Sequence, residues 1–257
     1  MDVESRQEAI LGLLRAHDRV DVEDLAGHFD VSTQTIRSDL RGLAQGGLVA
    51  RTRGGARHVP AATSRDYSER RKQMADQKEA LGTLAASLIP DNCSVALNIG
   101  TTTEQVARAL SAHSGLVVMS NNINIINALM SSPIKELILV GGAVRQSDGA
   151  IVGEDAVEFI SRYKVDFAVI GTSALDEDGS VLDYDSREVA VARAILRNAR
   201  TRILVSDHSK FERTAQVRIC DVSELDYVVT DAEPPAPFAE AAARANTTII
   251  TPGTPHV

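Results

Sequence analysis

"VSTQTIRSDLRGL", residues 31–43, carries apolar residues along one side and arginines with small polar residues along the other. At about 100° per residue, Ile36, Leu40 and Leu43 share one helical face, and Gln34, Arg37, Ser38, Arg41 and Gln45 fall roughly opposite. Ser32 stands where it can cap the helix start, with Val31 and Ile36 placed as a hydrophobic staple around it. A capped helix with a guanidinium-bearing face suits a negative partner, yet the chain carries a formal net charge of −8. The two observations agree if charge is segregated. Arg37, Arg41, Arg51, Arg53 and Arg57 face only Asp39 within their segment. A local cationic patch of this kind meets phosphates at one place, while the acidic whole excludes a general polyanion binder.

The flanks extend this reading. Ile10, Leu11 and Leu14 give helical spacing upstream, and "VDVEDLAGHF" (20–29) reads as a second helix. Downstream, "GGLVARTRGGARHV" (46–59) reads as two short β-like runs separated by glycines, a hairpin or wing. Arginines beside paired glycines suit close approach of backbone to a phosphate. A helix, a tight turn and a capped polar helix form the arrangement that enters a major groove, where Gln, Ser, Thr and Arg read base edges. The plainer alternative is a solvated face on an ordinary three-helix domain, and the wing weighs against it. The expectation is a DNA-reading unit over residues 1–58. Gln34, Thr35, Arg37, Ser38 and Arg41 would face bases, and Thr33, Arg51 and Arg53 the DNA backbone.

Residues 59–75, with Pro60 and the charged "SERRKQ", read as a linker and connecting helix. Over 76–257 a different rhythm begins. "SVALNI", "LVVMS", "ELILVG", "VDFAVIG", "RILVSD", "DYVVTD" and "TTIIT" alternate with helical stretches such as "EQVARAL". Continuous apolar strands between helices imply an α/β domain whose mainly parallel sheet is covered on both faces. Ligands of such sheets sit outside the carboxyl ends of the strands. The residues expected there are Gly100, Thr101, Thr102 and Thr103, Asn121 and Asn122, Gly141 and Gly142, Gly171, and Asp207. Thr101–Thr103 also begin a helix, where free N–H groups and the dipole favour a phosphate. Arg145 and Lys210 are candidate cations for the same anion, and Asp185 and Glu188 candidate partners for ligand hydroxyls. "DEDG" (176–179) reads as a hairpin turn.

Several classes are disfavoured. No apolar run approaches the roughly 20 residues of a membrane span, and the acidic start does not resemble a signal peptide, so a cytoplasmic protein is expected. Cys93 and Cys220 are isolated in apolar surroundings and read as reduced thiols, and no metal-ligand spacing or cofactor motif stands out. An isomerase using Glu188 or Asp185 as base and Lys210 against an enediolate is the competing reading; a non-enzymatic sensor is preferred.

The stretch 20–56 resembles the winged helix-turn-helix of DeoR-type bacterial transcription regulators. The match lies in Val31, Ser32, Thr35, Ile36, Arg37, Asp39 and Leu40, then Gly54 and Gly55. Arg53 stands where that family commonly carries His. The resemblance continues through "IGTTTEQVARAL", "GGAVRQSDGAIVGE", "GSVLDYDSREVAVARAI" and "VSDHSKF". These are similar to the family's sugar-phosphate sensor domain, akin to the ribose-5-phosphate isomerase fold, with Asn98 in place of an expected aspartate. The resemblance implies a repressor acting on double-stranded operator DNA as a homo-oligomer, dimer or tetramer. A phosphorylated small-molecule effector would release it. Asn121, Asn122 and Asn124 with the segments "RQSDGAIVGE" and "LDYDSREV" favour glycerol 3-phosphate in that role.

Overall fold

The computed structural model describes residues 3–17, 19–45, 49–52, 54–58 and 64–253. Internal contacts divide the chain into two units, Met1–Asp66 and Tyr67–Val257.

The first unit runs α1 (Val3–His17), β1 (Arg19–Asp21), α2 (Val22–Phe29), α3 (Thr33–Gln45), β2 (Val49–Thr52) and β3 (Gly55–His58). Ile10, Leu14, Val22, Leu25, Ile36, Leu40 and Leu43 meet in one core, so the apolar stripe of α3 is its buried face. Asp30 ends α2 in the left-handed region (φ 50°), and Ser32 then receives the N–H of Thr35 at 3.1 Å. Val31 packs on the same core as Ile36, as a staple requires.

The hairpin of β2 and β3 gains an antiparallel third strand, β1, giving the order β1-β3-β2. Three residues between two helices are too short for a periodic signal, and sequence reasoning passed over β1. The strand also changes the meaning of the glycine pair. A Cβ on Gly55 would lie 2.0 Å from the carbonyl oxygen of Val20 in β1, and Gly54 turns the chain at φ +95°. Strand packing and turn geometry therefore account for both glycines.

Asp39 is buried against α1, its carboxylate receiving Arg6 Nε at 2.6 Å and Nη2 at 3.3 Å. The one acid of the cationic segment is thus neutralised inside the unit.

α4 (Ser64–Lys72) spans the boundary between the units and leads into α5 (Ala75–Ala86), followed by β4 (Ser94–Leu97), α6 (Thr101–Leu110), β5 (Val117–Ser120), α7 (Ile123–Leu129) and β6 (Glu136–Leu139). Next come β7 (Val144–Arg145), β8 (Ala150–Ile151), α8 (Glu154–Ile160), β9 (Val165–Ile170), β10 (Ala174–Leu175), β11 (Ser180–Asp183) and α9 (Ser186–Arg197). The chain closes with β12 (Ala199–Ser206), β13 (Val217–Asp221), β14 (Tyr227–Thr230), α10 (Ala236–Ala245) and β15 (Thr248–Ile250). Seven strands pair in parallel in the order β15-β14-β12-β9-β4-β5-β6. A smaller antiparallel sheet, β10-β11-β13, contains the Asp176–Gly179 hairpin turn.

The apolar runs are continuous because alternate residues serve opposite cores. Val95, Leu97, Val169, Ile203 and Val205 pack with α5, α6 and α7. Their neighbours Ala96, Ala168, Ile170 and Leu204 pack with α8, α9 and α10. With both faces covered, polar groups collect at the strand ends.

Replacing Asp39 with Ala removes the buried carboxylate that receives Arg6 Nε and Nη2. Chemical denaturation of the chain should show the first unit destabilised by about 1–3 kcal/mol.

Candidate nucleic-acid interface and anion pocket

In the first unit the buried stripe fixes which way α3 points. Thr33, Gln34, Arg37, Ser38 and Arg41 are exposed on its outer side. Thr35 is half-buried, and its hydroxyl shares a 2.9 Å hydrogen bond with Ser32, so it is engaged in the cap. Arg37 and Leu40 line a small cleft with Thr52, Gly54 and Gly55, which places the helix beside the wing turn. Arg51 lies in β2, while Arg53 lies outside the described residues.

In the second unit the rim residues separate into two groups. The first surrounds the start of α6. Gly100 is its N-cap at φ +144°, and a Cβ there would lie 3.0 Å from Thr103 Oγ1. Thr103 is buried and donates its hydroxyl to the Gly100 carbonyl at 2.8 Å. Thr101 and Thr102 are also buried in this first turn, where main-chain N–H groups lack helical partners. Gly171, ending β9, stands beside the methyl group of Thr103. Asp207, ending β12, is buried and receives both the N–H and the hydroxyl of Ser209.

Lys78, Lys210 and Arg213 act on Asp207, and Arg70 acts on both lysines. Burial, with Arg213, Lys78 and Arg70 nearby, holds Lys210 down to about 8 although Asp207 pulls the other way. Burial likewise lowers Lys78, whose ammonium donates to the carbonyls of Arg70 at 2.6 Å and Gln73 at 2.9 Å. For Asp207 burial acts upward, but Ser209, Lys210, Lys78 and Arg213 keep it below its ordinary value. Two further polar atoms, Arg70 Nε and Asn98 Oδ1, are buried without a hydrogen-bond partner. Lys78, Arg70 and Arg213 were missed from sequence because single basic residues in helices and turns carry no spacing signal.

The second group builds a flap from β7 and β8. Asn121 donates to the Ile151 carbonyl at 3.0 Å, and Asn122 and Asn124 donate to the Asp148 carbonyl at 3.1 and 2.9 Å. Asn122 also caps α7 through the N–H of Asn124. Gly141 is exposed after β6, and Gly142 (φ +141°) leaves room for Ile151, which a Cβ would approach to 2.7 Å. Arg145, expected as a free cation, is instead ringed by acids. It reaches Asp148 at 2.6 Å, Glu188 at 2.6 Å and Asp185 at 3.6 Å. Burial and Asp183 push Glu188 up to about 7, against the pull of Arg145. Asp185 caps α9 through the N–H of Arg187.

One contact joins the groups. Asn124 Nδ2 donates to the hydroxyl of Tyr67 at 2.8 Å, and that hydroxyl donates to Glu104, just beyond the threonine turn. Tyr67 belongs to α4. Among the described residues no cluster of His, Cys, Asp and Glu could hold a metal ion, and no helix is long and apolar enough to cross a membrane.

A cationic helix beside a wing, and a parallel sheet with a buried anion-competent rim, define a two-part regulator: a DNA-reading unit followed by a ligand-sensing unit. Residues 6–61 match the DeoR-like helix-turn-helix domain and residues 73–232 the DeoR C-terminal sensor domain. The chain belongs to the DeoR family of transcriptional regulators, and it is a DNA-binding repressor rather than an enzyme. It is 41% identical over 230 residues to the glycerol-3-phosphate regulon repressor of Escherichia coli K12, covering 90% of this chain and 91% of that one. The repressor of the same name from Haemophilus influenzae is 41% identical over 225 residues, 88% of each chain. The HTH-type transcriptional repressor CsqR of Escherichia coli K12 is 32% identical over 231 residues, covering 90% and 88%. Ribose 5-phosphate isomerase from Plasmodium falciparum aligns with 56% of this chain and 54% of its own at 13% identity and a TM-score of 0.38.

An anion entering the cation cluster favours the charged form of Lys210. Sulfate affinity should be full below a pH of about 8 and fall as pH rises beyond it. Calorimetry at pH 8 in buffers of different ionisation enthalpy should show proton uptake on sulfate binding, lost in Lys210→Met.

Proposed function

We propose that this repressor controls genes of glycerol 3-phosphate or related carbohydrate metabolism and leaves its operator when a phosphorylated polyol, glycerol 3-phosphate foremost, enters the rim. The observation that carries this reading is the cation cluster of Lys78, Lys210, Arg70 and Arg213 around the rim of the sheet. The first turn of α6 supplies N–H groups for the phosphate, with Gly100 and Gly171 both lying against Thr103 in that turn. Asn98 Oδ1 and Asp207 are the acceptors offered to ligand hydroxyls. Asn121, Asn122, Gly141, Gly142, Arg145, Asp185 and Glu188 shape the flap over that pocket.

Gln34, Arg37, Ser38 and Arg41 read bases in the major groove, Thr33, Arg51 and Arg53 hold phosphates, and Thr35 keeps the helix capped. The protein acts in the cytoplasm on the nucleoid as a homodimer or homotetramer, so that paired reading helices match a two-fold operator. Tyr67 carries the signal. It ties α4 to Glu104 and Asn124, one residue from each group, and α4 lies on the chain that leads back to the reading unit. Moving such a switch from mostly bound to mostly released takes about 5 kcal/mol of differential affinity, which several sites in an oligomer share.

Gel-shift titration tests the reader: Arg37→Ala should lose about 1–3 kcal/mol of operator affinity and keep its thermal shift with glycerol 3-phosphate. The pocket is tested by Thr101→Glu, which should stay on the operator at effector concentrations that release the parent. Operator release by glycerol 3-phosphate that is unchanged in this variant would place the pocket elsewhere. Tyr67→Phe should retain effector binding and lose most of the effector's influence on operator affinity, measured by the two titrations together.

A further inference from the structure

Where the end of α9 meets β12 and β13, away from the carboxyl ends of the parallel strands, lies a basic cavity that the repressor reading does not use. Its volume is about 530 Å³, within the range of small-molecule sites. Arg193, Arg197, Arg202 and Arg218 line it against a single carboxylate residue, Glu224, in a chain whose net charge is −8. The segments that build it are the last turns of α9, the middle of β12, β13 and the 3-10 turn Val222–Glu224.

How these arginines are held sets them apart from others in the chain. Arg6 and Arg145 are neutralised by carboxylates. Arg193 is held by main-chain carbonyls, Nε donating to Ile219 at 2.9 Å and Nη2 to Arg218 at 2.6 Å. Arg202 Nη1 donates to the carbonyl of Glu224 at 2.8 Å. Carbonyls fix a guanidinium in place without cancelling its charge. The Glu224 carboxylate is occupied locally, receiving the N–H of Asp221 at 2.9 Å in a capping box. Arg218 stands 3.7 Å from Asp178 in an exposed pair. The guanidinium of Arg197, one turn from Arg193 on α9, has no hydrogen-bond or ion-pair partner among the described residues. Between the charges Leu196, Ile219 and Cys220 form an apolar floor, and burial pushes the Cys220 thiol up to about 12, so it stays protonated.

We propose that this cavity is a second ligand site, distinct from the rim, for a small organic polyphosphate. Two or more phosphate groups would meet the guanidiniums, and a planar body such as a nucleobase would lie on the floor. Guanidinium planes match phosphate oxygens pairwise and stack on flat rings, which suits both halves of such a ligand. Concavity favours a small ligand over a duplex backbone, which would meet a convex or grooved surface.

The probes are ADP and pyrophosphate, titrated calorimetrically into the full chain in low salt. ADP should bind more tightly than pyrophosphate, and Arg197→Gln should weaken both at least about tenfold. This variant removes an exposed side chain with no internal partner, so its melting temperature without ligand should match the parent. Thr101→Glu should leave ADP binding unchanged. The proposal is overturned if neither probe binds, if ADP binds no better than pyrophosphate, or if Arg197→Gln binds as the parent does. Loss of ADP binding in Thr101→Glu would assign the anion to the rim and equally overturn it. So would a change of oligomer size in Arg197→Gln without ADP binding to the parent, which would make this face a contact between copies.

Discussion

A parallel strand cannot be succeeded by a neighbour lying beside it in reverse; the chain must cross over, usually through a helix, and start again from the same end. Seven strands paired in this way bring all their carboxyl ends to one edge. The residues just past each strand therefore fall along one edge, however far apart in sequence: the threonine turn after β4, the asparagines after β5, glycine after β9, aspartate after β12. The helices that enforce the crossovers bury the remaining surface, and side chains alternate between two cores. The edge is left as the part of this domain where backbone N–H groups, small residues and charges collect.

Within that constraint the distribution of charge decides what each basic residue does. Arg6 is enclosed with Asp39 and serves the packing of the reading unit. Arg145, between Asp148 and Glu188, serves the flap. Lys78 and Lys210 are different, because burial and their basic neighbours disfavour the ammonium form while only part of that cost is offset by Asp207 and, for Lys78, Glu104. Repulsion among like charges is thus built into this group of side chains. The reading helix reaches a related end by another route. Its acid is turned inward, so Arg37 and Arg41 face solvent without an opposing carboxylate on their side of the helix.

Much of this was legible from sequence where a local rule governs. The cap at Ser32, the apolar stripe of α3, the continuous strands and the turn at Asp176–Gly179 arise from spacing within a few residues. The strand-end residues at the start of α6 were legible for the same reason. The rest depends on residues brought together from far along the chain. Strand β1 is too short to show a period, and it, rather than a phosphate, explains Gly55. Arg145 looks like a free cation until Glu188 is seen opposite it. The amide nitrogens of Asn121 and Asn122 are taken by flap carbonyls far along the chain, which spacing does not reveal, while Asn121 Oδ1 stays buried without a partner.

The ammonium of Lys78 has a consequence for the helix it terminates. Two of its three protons close the end of α4 by satisfying carbonyls at Arg70 and Gln73, and the third remains for whatever lies among the basic groups. One nitrogen thus both closes a helix and stands among the basic groups around Asp207. The last turn of α4 and that charged group therefore share an atom, so the position of one fixes the position of the other.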